Sequence, residues 1–190
     1  GYCPASMRSI SLEDMPRVRS FRPIEDGKAE ILILGSMPGR ASLAAGRYYA
    51  HPQNAFWRIA SELLRFDRAS PYRERVRALR TARIALWDVL QSCAREGSLD
   101  AKIENDTQVV NDFPGFFHTH RKITHVFFNG AKAEATFRRH VLPGIGGRYL
   151  ICRRLPSTSP ANASMSVARK LRAWRAILTV VRNDVTKEVS

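Results

Sequence analysis

Acidic residues are scarce in this chain: 17 Asp and Glu stand against 31 Lys and Arg over 190 residues, a formal net charge of +14. A surface this basic usually has a polyanion, DNA or RNA, as its partner; charge kept for solubility alone is the plainer alternative. Cysteine is sparse too. Cys3, Cys93 and Cys152 are scattered, odd in number and without a Cys-x-x-Cys pair. That removes support for a zinc site or an iron–sulfur cluster and fits a reduced, cytoplasmic context. Cys93 and Cys152 are expected to be buried beside strands. No apolar run approaches the roughly 18 residues that cross a bilayer, and no signal-peptide pattern is present. No Gly-x-Gly-x-x-Gly or Walker pattern occurs, which weighs against a small-molecule enzyme gripping phosphate on a glycine loop. Neither a repeat nor a low-complexity linker breaks residues 7–190, so one domain is expected there. Residues 1–6 read as a vector remnant ahead of a natural start at Met7.

What is present reads as alternating strands and helices. Short runs rich in Ile, Leu, Val and Phe predict buried parallel strands over 30–34, 83–87, 125–129 and 148–152. Between them, Phe56, Ile59, Ala60, Leu63 and Leu64 share one side of a helix over 54–65. A second helix covers 131–142 and closes at Pro143-Gly144, and a short one begins near Pro114. The last, over 164–181, spaces Val167, Leu171, Trp174, Leu178 and Val181 as one buried stripe. The run 65–83 holds seven arginines and reads as a solvated helix face. Strand–helix alternation implies an α/β fold, a three-layer α/β/α sandwich around a four-stranded parallel sheet. Ligands in such folds sit outside the carboxyl ends of the strands.

Each of those ends carries polar groups. The first strand runs into Gly35-Ser36-Met37-Pro38-Gly39, where two glycines and a proline fix the backbone with N–H groups turned outward. Twelve residues past Met37 comes Tyr49-Ala50-His51-Pro52-Gln53-Asn54-Ala55-Phe56-Trp57, able to stack a flat ring and hydrogen-bond its edge. The second strand ends at Asp88 and the third at Asn129-Gly130. The fourth leads into Leu155-Pro156-Ser157-Thr158-Ser159-Pro160-Ala161-Asn162, a stiff, hydroxyl-rich loop ahead of a basic helix. Such loops are good phosphate ligands, and Arg154 and Ser164 flank this one.

Several of these residues also have ordinary readings. Asn54 is a favoured helix cap, His51 can hold its loop through a buried hydrogen bond, and Asp88 can pair with one of the arginines. Asn129 suits a turn, Tyr49 can be core packing, and the Met37 side chain reads as a pocket wall.

Taken in order, Gly-Ser-Met-Pro-Gly, Tyr-Tyr-Ala-His-Pro-Gln-Asn-Ala-Phe-Trp and Leu-Pro-Ser-Thr-Ser-Pro-Ala-Asn resemble the uracil-DNA glycosylase superfamily. They are closest to its hypoxanthine-DNA (deoxyinosine) glycosylase branch and similar to mismatch-specific uracil glycosylases. Ala85-Leu86-Trp87-Asp88-Val89-Leu90 and Phe127-Phe128-Asn129-Gly130 join the motifs. The likeness spans about 31–181 and implies the same α/β/α fold. It also implies a monofunctional N-glycosylase of base excision repair. Such an enzyme flips a uracil or hypoxanthine out of DNA and hydrolyses its glycosidic bond, leaving an abasic site.

On this resemblance Gly35, Ser36 and Met37 line the base pocket, Tyr49 stacks on the base, and Asn54 is the catalytic carboxamide. Asp88 and Asn129 complete the pocket, with His51 in reserve. Arg154, Ser157, Thr158, Ser159, Pro160, Ala161, Asn162 and Ser164 meet the DNA. Two departures stand out. Met37 replaces the Asn or Asp that orients water in most of the superfamily, and Leu155 replaces a His or Asn. No lysine is placed for Schiff-base chemistry, no metal or cofactor is required, and a monomer is expected. A lesion-binding protein without catalysis is the alternative.

Overall fold

The computed structural model describes residues 15–185; Cys3 and the expected start at Met7 lie outside them. In chain order the elements are β1 (Arg17–Arg19), β2 (Ile31–Gly35), α1 (Arg40–Ala45), α2 (Phe56–Leu64) and α3 (Tyr72–Thr81). Then come β3 (Ile84–Asp88), β4 (Leu90–Ala94), β5 (Val109–Val110), α4 (Phe113–Thr119) and β6 (His125–Asn129). The last are α5 (Ala131–His140), β7 (Ile151–Leu155), α6 (Val167–Trp174) and α7 (Ala176–Val185).

The central sheet has the order β3-β2-β6-β7, every pair parallel. Strand alternation sorts its side chains into two cores. Ile31, Ile33, Ile84, Leu86 and Phe127 face a cluster with residues of α2, α3, α6 and α7. Leu32, Leu34, Ala85, Trp87, Val126 and Phe128 face the other, with Phe113, Phe116 and Phe117 of α4 and Ala133 and Phe137 of α5. Both faces of β2, β3 and β6 are dry, so these strands read as continuous apolar runs, and each fully buried Leu, Ile or Phe contributes about 1.5–3 kcal/mol. This is the expected α/β/α sandwich on a four-stranded parallel sheet. Among the described residues no helix is long and apolar enough to cross a membrane.

Several elements differ from the sequence reading. The fourth strand is Ile151–Leu155, three residues beyond the expected 148–152. It is an edge strand with Ile151, Arg153 and Arg154 exposed, so hydrophobicity does not mark it. Arg148, expected to open it, instead closes the preceding loop by donating to the carbonyls of Phe117, His120, Arg121 and Ile123. The terminal helix starts at Val167, capped by the Ser166 hydroxyl, and breaks at Arg175. The break shifts the buried stripe, so that Ile177 is buried after Trp174 where Leu178 was expected. Helix α5 stops at His140, with a separate 3-10 turn over Leu142–Gly144.

A second sheet, β1-β4-β5, is antiparallel and has no counterpart in the sequence reading. It positions the site. After β3 the chain continues beside the first loop, with the Val89 and Leu90 N–H groups donating to the Gly35 and Ser36 carbonyls. Strand β4 then carries it to Ser98 and Asp100.

Candidate active site at the carboxyl edge of the sheet

A cleft of about 700 Å³ opens where the parallel strands end. The loop after β2, the Tyr48–Asn54 turn, Ser98–Asp100, Asn129 and the loop 157–162 form its walls. Residues 36–39, the 48–54 turn, Asn129 and 157–162 therefore converge, while the strand end at Asp88 does not line the cleft.

The loop after β2 is held from behind. The Arg95 guanidinium, buried, donates to the Pro38 carbonyl. Ser36 Oγ donates to Asp100 Oδ1 at 2.6 Å, and the Arg40 N–H donates to Ser98 Oγ at 2.9 Å. Among the described residues, no protein group accepts from the Ser36 or Met37 N–H, so the loop leaves two main-chain donors at the cleft wall. The Met37 side chain is buried against Leu90, Cys93 and Ile103, a wall residue rooted in a small core. Gly35 and Asp88 stand behind the wall rather than on it. A Cβ on Gly35 would lie 2.5 Å from Asp88 Oδ1 and 3.0 Å from the Tyr49 hydroxyl, so only glycine lets both approach.

Tyr49 has φ 54°, a left-handed backbone that costs a non-glycine residue about 1–3 kcal/mol and is tolerated where the surroundings hold it. Phe56 holds it, the rings stacked at 4.2 Å and 23°. One ring face is thereby covered, leaving the other as what Tyr49 can present to the cleft. Among the described residues its buried hydroxyl has no partner in good hydrogen-bond geometry, though the Asn129 side chain lies near enough to favour its ionised form slightly. Burial, then the nearby Asp88, push the phenol well above its ordinary range, so it stays a protonated donor. Asn54 lies just ahead of α2, and its Oδ1 accepts from the Phe56 N–H at 2.9 Å. Capping thus occupies the oxygen, while among the described residues Nδ2 has no acceptor, and Asn54 lines the cleft. His51 also lines the cleft, but it is exposed, and its Nδ1 accepts from the Gln53 N–H at 3.1 Å. It holds the turn as expected, through a solvent-facing bond instead of a buried one.

Asn129 clamps the last loop. Its Nδ2 donates to Thr158 Oγ1 at 2.9 Å, and its Oδ1 accepts from the Thr158 N–H at 2.8 Å. Thr158 is consequently buried and its hydroxyl is spent inside the protein, a correction to its expected place facing DNA. The clamp needs Gly130, whose φ of 99° and close approach to Ser157 exclude a side chain. The Thr158 carbonyl accepts from the Ala55 N–H, and the Pro156 carbonyl from Trp174 Nε1. Leu155 is buried in the core. Ser157, Ser159 and Pro160 stay partly accessible on the cleft, as does Asn162, whose Nδ2 donates to the Ser157 carbonyl. Ala161 and Ser164 are exposed. Arg154, also exposed, sits 3.5 Å from Glu134.

Asp100 and Arg95 were not singled out in the sequence. Asp100 bonds Ser36 from 64 positions away; the only local cue is that it closes the turn-forming Glu96-Gly97-Ser98 segment. Burial raises its carboxyl. Asp88 is more extreme: fully buried, with Oδ2 unpartnered among the described residues, it is pushed up to about 8 by burial and then by Asp100, against a smaller opposing pull from Arg95. No hydrogen bond joins Asp88 to Arg95, whose Nε and Nη1 also lack partners among the described residues. No three His, Cys, Asp or Glu side chains among the described residues come together as a metal site.

A pH dependence follows. Between about pH 4 and pH 8 the folded protein holds a proton on Asp88 that the unfolded chain has released. Its stabilising contribution is full below that window and falls as pH rises through it, by at most about 1.4 kcal/mol per pH unit. Asp88→Asn keeps the neutral shape. Its melting temperature is expected to match the parent at the acid end and to exceed it progressively towards pH 8. An offset constant across the window would contradict a protonated Asp88.

With this geometry in place, comparison with known proteins is informative. Residues 22–178 match the family model of the uracil DNA glycosylase superfamily. A protein of Methanosarcina acetivorans named hypoxanthine DNA glycosylase is 36% identical over 160 residues, covering 84% of this chain and 96% of that one. One of the same name from Methanosarcina barkeri is 39% identical over 116 residues, 60% of this chain and 72% of its own. The solution NMR structure of a Methanosarcina acetivorans protein, provisionally described as a uracil DNA glycosylase, superposes with a TM-score of 0.70 at 33% identity. It covers 85% of this chain and 99% of that one. The chain belongs to the uracil DNA glycosylase superfamily.

Proposed function

We infer that the protein is a monofunctional DNA glycosylase that excises a deaminated base, hypoxanthine or uracil, and leaves an abasic site. The observation that carries this reading is the set of uncommitted donors on one cleft: the Ser36 and Met37 N–H groups and Asn54 Nδ2, beside the Phe56-backed ring of Tyr49. The superfamily membership and the names of the Methanosarcina relatives support it.

A base stacked in duplex DNA cannot reach such a cleft, so its nucleotide must be flipped out. Tyr49 stacks on it. The loop N–H groups receive a ring carbonyl, a feature hypoxanthine and uracil share. As the glycosidic bond breaks, the sugar gains oxocarbenium character and negative charge grows on the departing base. Donors already fixed in place stabilise that charge without reorganising, about 3 kcal/mol for one of them. Asn54 Nδ2 bonds the base edge or the attacking water; a carboxamide is too weak a base to take the proton. Asp88 and Asn129 act from behind, the first keeping the space under Gly35 and Tyr49, the second fixing the 157–162 loop. His51, Arg154, Ser157, Ser159, Pro160, Ala161, Asn162 and Ser164 are the candidates to meet the strand. No metal or cofactor enters, and the protein acts as a monomer of one domain.

Duplexes carrying one hypoxanthine or one uracil test this. After incubation with the protein in EDTA, hot alkali is expected to cut the strand at the modified position, with no cut before alkali. Duplexes intact under alkali at equimolar protein would leave only lesion binding. On undamaged DNA, binding is expected to be weak and nearly sequence-independent, with log K falling linearly in log salt at about 0.9 per neutralised phosphate. A binding constant flat with salt would contradict this.

A further inference from the structure

A second cleft, of about 550 Å³, adjoins the first and shares Tyr48, Tyr49, His51 and Asn54 with it. Arg47, Arg58, Arg68 and Arg75 line it, with Trp57 and Tyr72 between them. Among the described residues none of these four arginines pairs with a carboxylate, whereas Arg73 and Arg77, on the same helix as Arg75, both reach Glu74. The arginine-rich run is therefore not uniformly a solvated face.

Two of the cleft-lining arginines are held against rings, while Arg58 and Arg68 are exposed. Arg75 lies 4.9 Å above the Trp57 ring and 5.7 Å from that of Tyr72, while Arg47 lies 5.5 Å from the same Tyr72 ring. Among the described residues the buried Arg75 Nε has no hydrogen-bond partner. Burial disfavours its charge most, Tyr72 partly offsets that, and the neighbouring Arg47 adds a smaller repulsion. Like charges held together without a counter-ion cost energy that an anion would relieve. Guanidinium groups also match phosphate oxygens in a fixed fork. With its rings covered by arginine, this cleft offers charge to a backbone more than a stacking face to a base.

We propose that this cleft is a strand-backbone subsite, holding phosphates of the DNA strand that flank the nucleotide flipped into the neighbouring cleft. The assignment rests on the glycosylase reading for its ligand and on the shared wall for its placement. It makes the arginines positioning residues that set the strand's register over Tyr49.

The test compares two double variants of equal charge change: Arg47→Gln with Arg68→Gln, and Arg73→Gln with Arg77→Gln. Binding to an undamaged duplex is followed against salt, so that excision plays no part. The first pair is expected to flatten the log K against log salt slope by about 1.4–1.8, two contacts at roughly 0.7–0.9 each. The second pair is expected to leave most of it. A duplex with neutral methylphosphonates placed singly on either side of a tetrahydrofuran abasic residue then maps the contact. Two of these neutral positions are each expected to remove about half of the difference between parent and first pair. Equal slopes for the two pairs, or a difference that no neutral phosphate reduces, would overturn the subsite. Either result leaves the excision assay free to succeed, and failed excision with a mapped contact would spare the subsite.

Discussion

Replacing Asn54 by alanine is expected to lower single-turnover excision about a hundredfold, the loss of one preorganised polar group, while Met37→Ala keeps most of it. Met37, buried against Leu90, Cys93 and Ile103, has no hydrogen-bonding chemistry to lose. Leu155 is buried in the core and supplies none either. Asn54 is therefore the side chain left on the cleft whose carboxamide can meet the base or the water. Its Oδ1 caps α2 through the Phe56 N–H, and losing that cap costs about 1 kcal/mol. Serine separates the two roles, since it keeps a capping oxygen and removes Nδ2. Single-turnover rates are to be read alongside thermal melts. Asn54→Ser is expected to melt near the parent and excise like Asn54→Ala. Excision near the parent rate would make Asn54 a cap alone and move the chemistry to the loop amides.

Phe56→Ala is expected to cost about 3–5 kcal/mol, a large share of what holds a domain of this size together. The ring is fully buried. It stacks on Tyr49 and meets Trp57 and Trp174 edge-on at 5.0 and 5.9 Å. Its loss opens a cavity between α2 and α6 and frees a tyrosine whose backbone is strained. Urea titration gives the stability, and Phe56→Leu is expected to recover most of it but not the flat support under Tyr49. Excision by the folded leucine variant should therefore remain depressed. A leucine variant with parent activity would show that Tyr49 needs no ring beneath it.

Legibility in the sequence followed burial. Strands β2, β3 and β6 are dry on both faces, so Ile31–Leu34, Ile84–Trp87 and Val126–Phe128 announce themselves as apolar runs. Strand β7 lies at the edge with Arg153 and Arg154 in solvent, so its apolar pattern ends three residues short of the strand. Strands β1, β4 and β5 are short and carry Arg, Gln and Ser among their apolar residues, too little pattern for a period-2 reading. The cleft was legible where a motif is contiguous, as in 35–39, 49–57 and 155–162. It was not where the contact is long-range: the Ser36–Asp100 bond, the Arg95 grip on Pro38 and the Asn129–Thr158 clamp depend on the fold bringing distant loops together. The four arginines around Trp57 and Tyr72 come from three separate segments, which the run 65–83 alone does not reveal.

The most direct measurement is a mass spectrum of both products after a single turnover on two duplexes, one with a single hypoxanthine and one with a single uracil. The account predicts the intact free base from at least one of them and a full-length strand lighter by loss of that base, its abasic sugar uncut. Both strands unchanged at equimolar protein, or a strand already cleaved when the base appears, would contradict it.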